Sequence, residues 1–362
     1  MLYTSAMKVA FLLNRVQKYT IDAIKNGDLT DDHMYGCLRL GKYGVTGDYL
    51  EIEQIFPDSI CKFLRKHVLN VYWVHLPFFF KFRKYDVIFS STAFGCLLLH
   101  TLYPFKKPKW VMLDFSITGL IGDRKTFKQK IFYFMVKHCA GIITRGDEET
   151  TQLRQMFPEK APMIETMIFA IDTDYTKPSE SAVKEENIIF SPARDPGRDF
   201  KTLFEATKDT GNKVIITTRP WTLKKLLPLP SHIIHADLTQ DEYEKMYMRA
   251  KMIVVPLDIR SNINNAMGCT IMVETMARGK ALIVTRTPTS IDHVINNLTG
   301  LLIPPQDPDA LRTAVMKLND DPGLRARLGK NAREFAVKYC SNEAYVPRLA
   351  EYFKKLAANK TP

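Results

Sequence analysis

The densest chemistry in the chain lies in Gly268-Cys-Thr-Ile-Met-Val-Glu274-Thr-Met-Ala277-Arg-Gly279-Lys280. An apolar run ends before it at Pro256, and an amide-rich loop with Asn262, Asn264 and Asn265 follows. Gly268 lets the backbone turn tightly into a helix. The first amides of a helix lack partners within it and carry partial positive charge, so the Gly268–Cys269–Thr270 turn suits a phosphate. Glu274 stands about a turn and a half further on. A carboxylate there can accept both hydroxyls of a ribose; the plain alternative is a solvated helix residue. A second segment, Ser191-Pro-Ala-Arg194-Asp-Pro-Gly197-Arg198-Asp-Phe-Lys201, follows another apolar run. Two guanidinium groups beside a glycine turn can clamp a diphosphate bidentately without a metal. Lys201 is a weaker third cation, and an ordinary basic surface loop is the alternative.

Metal and redox chemistry find no support in the spacing. The eight histidines include no HExxH, and the six cysteines include no CxxC pair. No metal and no cofactor are therefore expected. Scattered single cysteines fit a reducing compartment. Met1–Ala6 is short and polar rather than a signal peptide, and no long uncharged apolar run could span a membrane. The expectation is a cytoplasmic protein, at most peripheral on the inner face of the cell membrane.

These residues must be positioned by something, and the apolar runs say what. Lys8–Leu13, Tyr85–Ser91, Lys109–Asp114 and Ala140–Thr144 read as buried strands, with helices over Asp32–Leu40 and Lys125–His138 between them. The pattern restarts with strands at Asn187–Phe190, Lys213–Thr217, His232–His235, Met252–Pro256 and Ala281–Thr285. Helices are expected over 200–209, 240–250, 270–278 and 308–318. Strands alternating with helices predict parallel sheets covered on both faces. A chain of 362 residues exceeds one compact core. The expected division is 1–178, 179–338, and 339–362, a helix packing back on the first. Ligands in such sheets bind at the carboxyl ends of strands, where both motifs lie.

The segment from Gly268 onward resembles the family 4 type of retaining glycosyltransferases, also called group 1. The likeness continues through Thr287-Pro-Thr-Ser-Ile-Asp292-His-Val, Leu298-Thr-Gly300 to Leu311, and Leu328-Gly-Lys-Asn331-Ala-Arg333. Ile168-Phe-Ala-Ile171-Asp172 is similar to that family's interdomain signature, with Ala170 in place of glycine, and it accounts for Asp172-Thr-Asp174 without a metal. The resemblance implies a GT-B fold: α/β, two Rossmann-like domains facing a central cleft. It implies transfer of a sugar from a nucleotide-sugar to a glycan or lipid-linked acceptor, with retention and without metal. Arg194 and Arg198 match its basic diphosphate residues, and Glu274 the second of its two glutamates. Ala266 stands where the first glutamate belongs, and Gly268-Cys269-Thr270 is similar to the turn of members that lack it. Asn262, Asn264 and Asn265 are then the residues to contact the sugar. Asp114 replaces a histidine after the strand Lys109–Leu113; it either positions a donor or acceptor hydroxyl or caps the next turn. Asn14, after the first strand, is a similar acceptor-side candidate. The alternatives carried are a GT-B nucleotide-sugar epimerase and an inactive homologue acting as a binding partner.

The net charge is +12, and it is concentrated. Ser59–Lys137 holds fourteen Lys or Arg against Asp86, Asp114 and Asp123. An anionic partner is implied. No RNP, KH, helix-turn-helix or zinc-finger signature is present, so nucleic acid is not expected. Lys81, Arg83, Lys84, Lys106 and Lys107 flank the aromatic run Val71–Phe80. Basic flanks around exposed aromatics suit an anionic membrane surface, and burial of those aromatics in the core is the alternative.

Overall fold

The computed structural model describes residues 7–103, 108–113, 116–178, 183–193, 197–260 and 267–358. The chain forms two units, one drawn from Met1–Arg145, Glu149–Met167 and Asn342–Pro362, the other from Gly146–Glu148 and Ile168–Ser341. The elements begin β1 (Met7–Leu12), α1 (Ile21–Lys25), β2 (Val45–Tyr49), α2 (Asp58–His67), β3 (Val87–Ser90) and α3 (Phe94–Leu102). They continue β4 (Lys109–Leu113), α4 (Ile117–Ile121), α5 (Phe127–His138), β5 (Gly141–Thr144), α6 (Asp147–Met156) and β6 (Ile164–Thr166). Next come β7 (Glu186–Ser191), α7 (Phe200–Thr207), β8 (Lys213–Ile216), α8 (Pro220–Leu226), β9 (Ile233–His235), α9 (Gln240–Arg249) and β10 (Ala250–Val255). The chain closes with α10 (Cys269–Ala277), β11 (Leu282–Thr285), α11 (Ser290–His293), β12 (Leu301–Ile303), α12 (Pro308–Asp320), α13 (Pro322–Tyr339) and α14 (Asn342–Ala358).

Each unit is built on a parallel six-stranded sheet. The first runs β2-β1-β3-β4-β5-β6 and the second β12-β11-β10-β7-β8-β9. Central strands such as β3, β5 and β11 are buried at every residue. That is why they read as unbroken apolar runs rather than alternating ones. In both orders the chain reverses direction once, between β1 and β3 and between β7 and β10. Those are the topological switch points, where neighbouring strand ends part and leave room for a ligand.

In the first unit, Ala10, Leu12, Ile88, Trp110, Met112 and Ile142 share one core with helices α3 and α5 and with the 3-10 segment Leu76–Lys84. On the other face, Phe353 of α14 meets Phe11 and Phe89 edge-on, with centroids 6.2 and 5.8 Å away. Tyr352 donates its hydroxyl to the Met163 carbonyl at 2.7 Å. The buried Lys160 donates to the carbonyls of Val136, Lys137 and Cys139 at 2.8, 2.6 and 2.7 Å. One ammonium thus satisfies the orphan carbonyls at the end of α5. In the second unit, Ile189, Val214, Ile216, Met252, Val254 and Ile283 pack under α7 and α12.

Several expectations change. The chain leaves the first unit at Met167, ahead of 178, because Ile171 donates to the Cys340 carbonyl at 2.9 Å and pairs with Ser341. Arg333 also holds the Thr173 and Thr176 carbonyls at 2.8 and 3.0 Å. The second unit accordingly runs to Ser341 instead of 338. Asp32–Leu40 is not a helix but a 3-10 turn at Asp32–Met34, followed by the left-handed residues Tyr35 and Gly36. A Cβ on Gly36 would lie 2.9 Å from Val346 Cγ2, so α14 packs directly against that turn. The aromatic run Val71–Phe80 does not face outward as a whole. Phe78 is buried and Trp73 lies against Gly95, while Phe80 is 73% exposed.

Candidate active site

The second sheet brings the two motifs together at its switch point. After β7 the chain passes Ala193, whose amide donates to Thr217 Oγ1 at 3.1 Å. Arg198 forms an antiparallel bridge with Leu257, just beyond β10. Asp258 donates its amide to the Gly197 carbonyl at 3.2 Å, and Asp199 donates its own to the Pro256 carbonyl at 2.9 Å. The Asp199 carboxylate then caps α7, accepting from the Thr202 amide at 3.2 Å and the Thr202 hydroxyl at 2.7 Å. Leu257 donates to Thr285 Oγ1 at 2.9 Å, tying in the end of β11. The Gly-Arg turn is therefore stitched to the exit of the neighbouring strand by backbone bonds.

The start of α10 arrives at the same place. Gly268 caps it with φ +75°, a left-handed conformation that favours glycine, and offers no side chain to the first-turn amides. A Cβ on Gly268 would sit 3.1 Å from Leu257 and 3.2 Å from Val255. A Cβ on Gly197 would fall 1.7 Å from Met267 Sδ. Gly197 is needed because its turn meets Met267, and Gly268 because of its left-handed φ and the Leu257 and Val255 side chains beside it. Arg198 is 6% exposed, buried at the carboxyl edge beside that contact. Cys269 is buried, Thr270 is partly exposed, and Lys201 is exposed in the first turn of α7.

Glu274 is not a solvated helix residue: it is 8% exposed. Its Oε2 accepts from the Tyr243 hydroxyl at 3.3 Å and lies 3.5 Å from that of Tyr247, both on α9. Burial first, and then the Glu274 charge, push the Tyr247 hydroxyl far above its usual pKa. One helical turn on, Arg278 lies over the Tyr247 ring at 4.4 Å and grips Glu244 with contacts of 2.6 and 2.8 Å. A buried carboxylate facing two hydroxyls, on a helix turn whose own carbonyl accepts from Arg278 at 3.0 Å, is held in place.

Tyr243, Tyr247, Arg278 and Arg260 carry no motif of their own in the sequence. The matching signal is the spacing: Tyr243 and Tyr247 stand one turn apart on α9, as Glu274 and Arg278 do on α10. Arg260 grips Asp258 through two contacts of 2.8 Å and reaches within 3.6 Å of Asp199, placing another cation beside the Gly-Arg turn. Arg194, Asn262, Asn264, Asn265 and Asp114 lie outside the described residues, as do Lys106 and Lys107. Asn14 is exposed directly after β1, at the switch point of the first sheet.

Residues 222–335 match the family described as Glycosyl transferases group 1. An uncharacterized glycosyltransferase of Methanocaldococcus jannaschii is 26% identical over 175 residues, which are 47% of this chain and 48% of that protein. The match thus spans about half the length of that relative. Sucrose-phosphate synthase from Thermosynechococcus elongatus superposes with a TM-score of 0.71 at 16% identity, covering 97% of this chain and 99% of that one. HepE from Anabaena, solved with UDP and glucose, superposes with a TM-score of 0.66 at 12% identity, covering 96% and 99%. The family match lies in the second unit, and the fold of the two units, two parallel six-stranded sheets with flanking helices, is that of GT-B neighbours such as sucrose-phosphate synthase.

Proposed function

We propose that the chain transfers a sugar from a nucleotide-sugar to a glycan or a lipid-linked acceptor, with retention of anomeric configuration and without a metal. The observation that supports this most is the meeting of the Gly197–Arg198 turn with Met267–Gly268 at the switch point of the second sheet. A nucleoside diphosphate laid there would meet Arg198 and the first amides of α10 with its phosphates, and Glu274 with its ribose. Arg194, Lys201, Asn262, Asn264 and Asn265 complete the proposed donor set. Asn14 and Asp114, on the first unit, are proposed for the acceptor.

In the proposed step the bond between sugar C1 and the diphosphate oxygen breaks, and its electron pair leaves on that oxygen. The acceptor oxygen bonds C1 on the same face and passes its proton to the departing phosphate oxygen. No protein base is required. The chain's own part is electrostatic: guanidinium and amide groups fixed where negative charge grows, in place of a divalent cation. HepE has been solved with UDP-glucose, which makes uridine diphosphate sugars the first donors to test.

The test is release of nucleoside diphosphate from a panel of UDP-, GDP-, ADP- and dTDP-sugars, with the product's anomeric configuration read by NMR. Release from one donor class, with retention, is expected. Donor binding without release, on water or any acceptor, would favour an inactive homologue instead.

A further inference from the structure

Helix α5, Phe127-Lys-Gln-Lys-Ile-Phe-Tyr-Phe-Met-Val-Lys-His138, contains no acidic residue. Phe132, Met135 and Val136 are its buried side and enter the core of the first unit. Phe127, Lys130, Phe134 and Lys137 recur at helical spacing and form the opposite, outer face. Phe127 is 79% exposed and Phe134 38%. Lys128, Lys130 and Lys137 join no ion pair among the described residues. Ahead of the helix, Arg124 lies over the Tyr133 ring at 4.9 Å, and Lys125 pairs with Asp123 at 2.9 Å. On the buried side, Phe132 meets Phe94 edge-on at 4.9 Å, and Phe94 stacks on Tyr72 at 5.4 Å.

We propose that the outer face of α5 docks on an anionic lipid bilayer. Lysines at the margins of protruding phenyl rings match that interface: the ammonium groups meet anionic headgroups while the rings enter the acyl boundary. A neutral surface would leave the lysines without counter-charges. A polyphosphate chain would meet them but leave the rings in water. The Lys81/Arg83/Lys84 patch fits less well. Its Phe78 and Phe82 are core residues, and Arg83 is drawn over Phe80 at 6.0 Å and Tyr103 at 5.1 Å. That segment also leads directly into β3, at the amino edge of the sheet. Helix α5 runs from the β4 exit toward the β5 entry, so Phe127 stands at the carboxyl edge, where ligands of such sheets bind. What the docking is for, presentation of a lipid-linked acceptor, rests on the proposed glycosyl transfer; the docking itself does not.

Sedimentation with phosphatidylcholine vesicles, with and without phosphatidylglycerol, tests it without any activity. The chain should pellet with anionic vesicles at low salt, and high salt should release it. Lys130→Glu/Lys137→Glu should lower the bound fraction about tenfold, Phe127→Ser/Phe134→Ser should lower it severalfold, and Lys81→Glu/Arg83→Glu/Lys84→Glu should lower it less. A thermal shift with the donor sugar, unchanged in every variant, would show that folding and the second unit are intact. Equal recovery with neutral and anionic vesicles would overturn the proposal. So would α5 variants that bind like the unaltered chain, or an RNA oligonucleotide that binds as tightly as the vesicles and ignores the phenylalanine changes.

Discussion

Gly197 and Met267, far apart in the chain, are in contact so close that a Cβ on the glycine would stand 1.7 Å from the methionine Sδ. This contact joins the Gly-Arg turn after β7 to the turn that opens α10, and it makes Gly197 a residue that nothing larger can replace without displacement. Overpacking of this kind costs about 1–3 kcal/mol. Gly197→Ala is expected to lower the melting temperature and weaken donor binding. Adding Met267→Ala should restore most of both, because it removes the atoms in the way. Thermal unfolding and donor titration of the single and double variants form a cycle that measures this coupling. A double variant no better than Gly197→Ala alone would place the strain elsewhere.

Arg198 is expected to act on the departing diphosphate, where charge grows during reaction. Arg198→Ala should therefore lower kcat by roughly a hundredfold or more, with a smaller loss of donor affinity. Arg198→Lys should fall between, since it keeps the charge but loses the planar fork. Steady-state kinetics beside direct donor titration separate the two effects. Turnover should be the same with and without EDTA; loss that Mg²⁺ or Mn²⁺ restores would contradict the metal-free proposal.

His75 makes the first unit sensitive to mild acid. Burial, with the Arg65 charge adding to it, lowers its pKa from 6.5 to about 4. The unfolded chain therefore binds a proton between those values while the folded chain does not, and stability falls as pH drops from about 6.5 toward 4. The contribution lost over that window is on the order of 3 kcal/mol. Chemical denaturation across the window should show a steeper fall for the unaltered chain than for His75→Gln. Parallel curves would rule out His75 as the titrating group.

Lys160 closes α5 by donating to three carbonyls. Lys160→Met leaves those carbonyls buried without a donor, at a cost of roughly 2–4 kcal/mol. Hydrogen exchange should show the last turn of α5 opening first, since the lost bonds are local to it. A uniform change across the first unit would mean that the lysine's packing, not its capping, matters.

Much of the fold can be read from the chain because β3, β5, β7, β10 and β11 are buried on both faces and so appear as unbroken apolar runs. β2 is hidden because it is an edge strand carrying Thr46, Gly47 and Asp48, which need no burial on the outer side. The Asp32–Leu40 helix fails at Tyr35 and Gly36, which take left-handed conformations where α14, contributed from the far end of the chain, packs against Gly36. In the candidate site, Gly268, Glu274 and Arg198 are legible from their positions after strands. Their convergence is not, because it depends on β7 and β10 becoming neighbours although α7, β8, α8, β9 and α9 intervene. The tyrosines around Glu274 lie on a third element, and only the matched spacing of α9 and α10 hints at them.

On the proposed function, the second unit holds a nucleotide-sugar with its ribose on Glu274. Isothermal titration of the preferred donor against the unaltered chain, Glu274→Gln and Glu274→Ala tests it most directly. Loss of a charged hydrogen bond predicts that Glu274→Ala weakens donor binding by about 2–3 kcal/mol. Glu274→Gln, which can still accept from Tyr243, should keep the fold and lose less. Donor affinity unchanged in a folded Glu274→Ala variant would show that the ribose lies elsewhere.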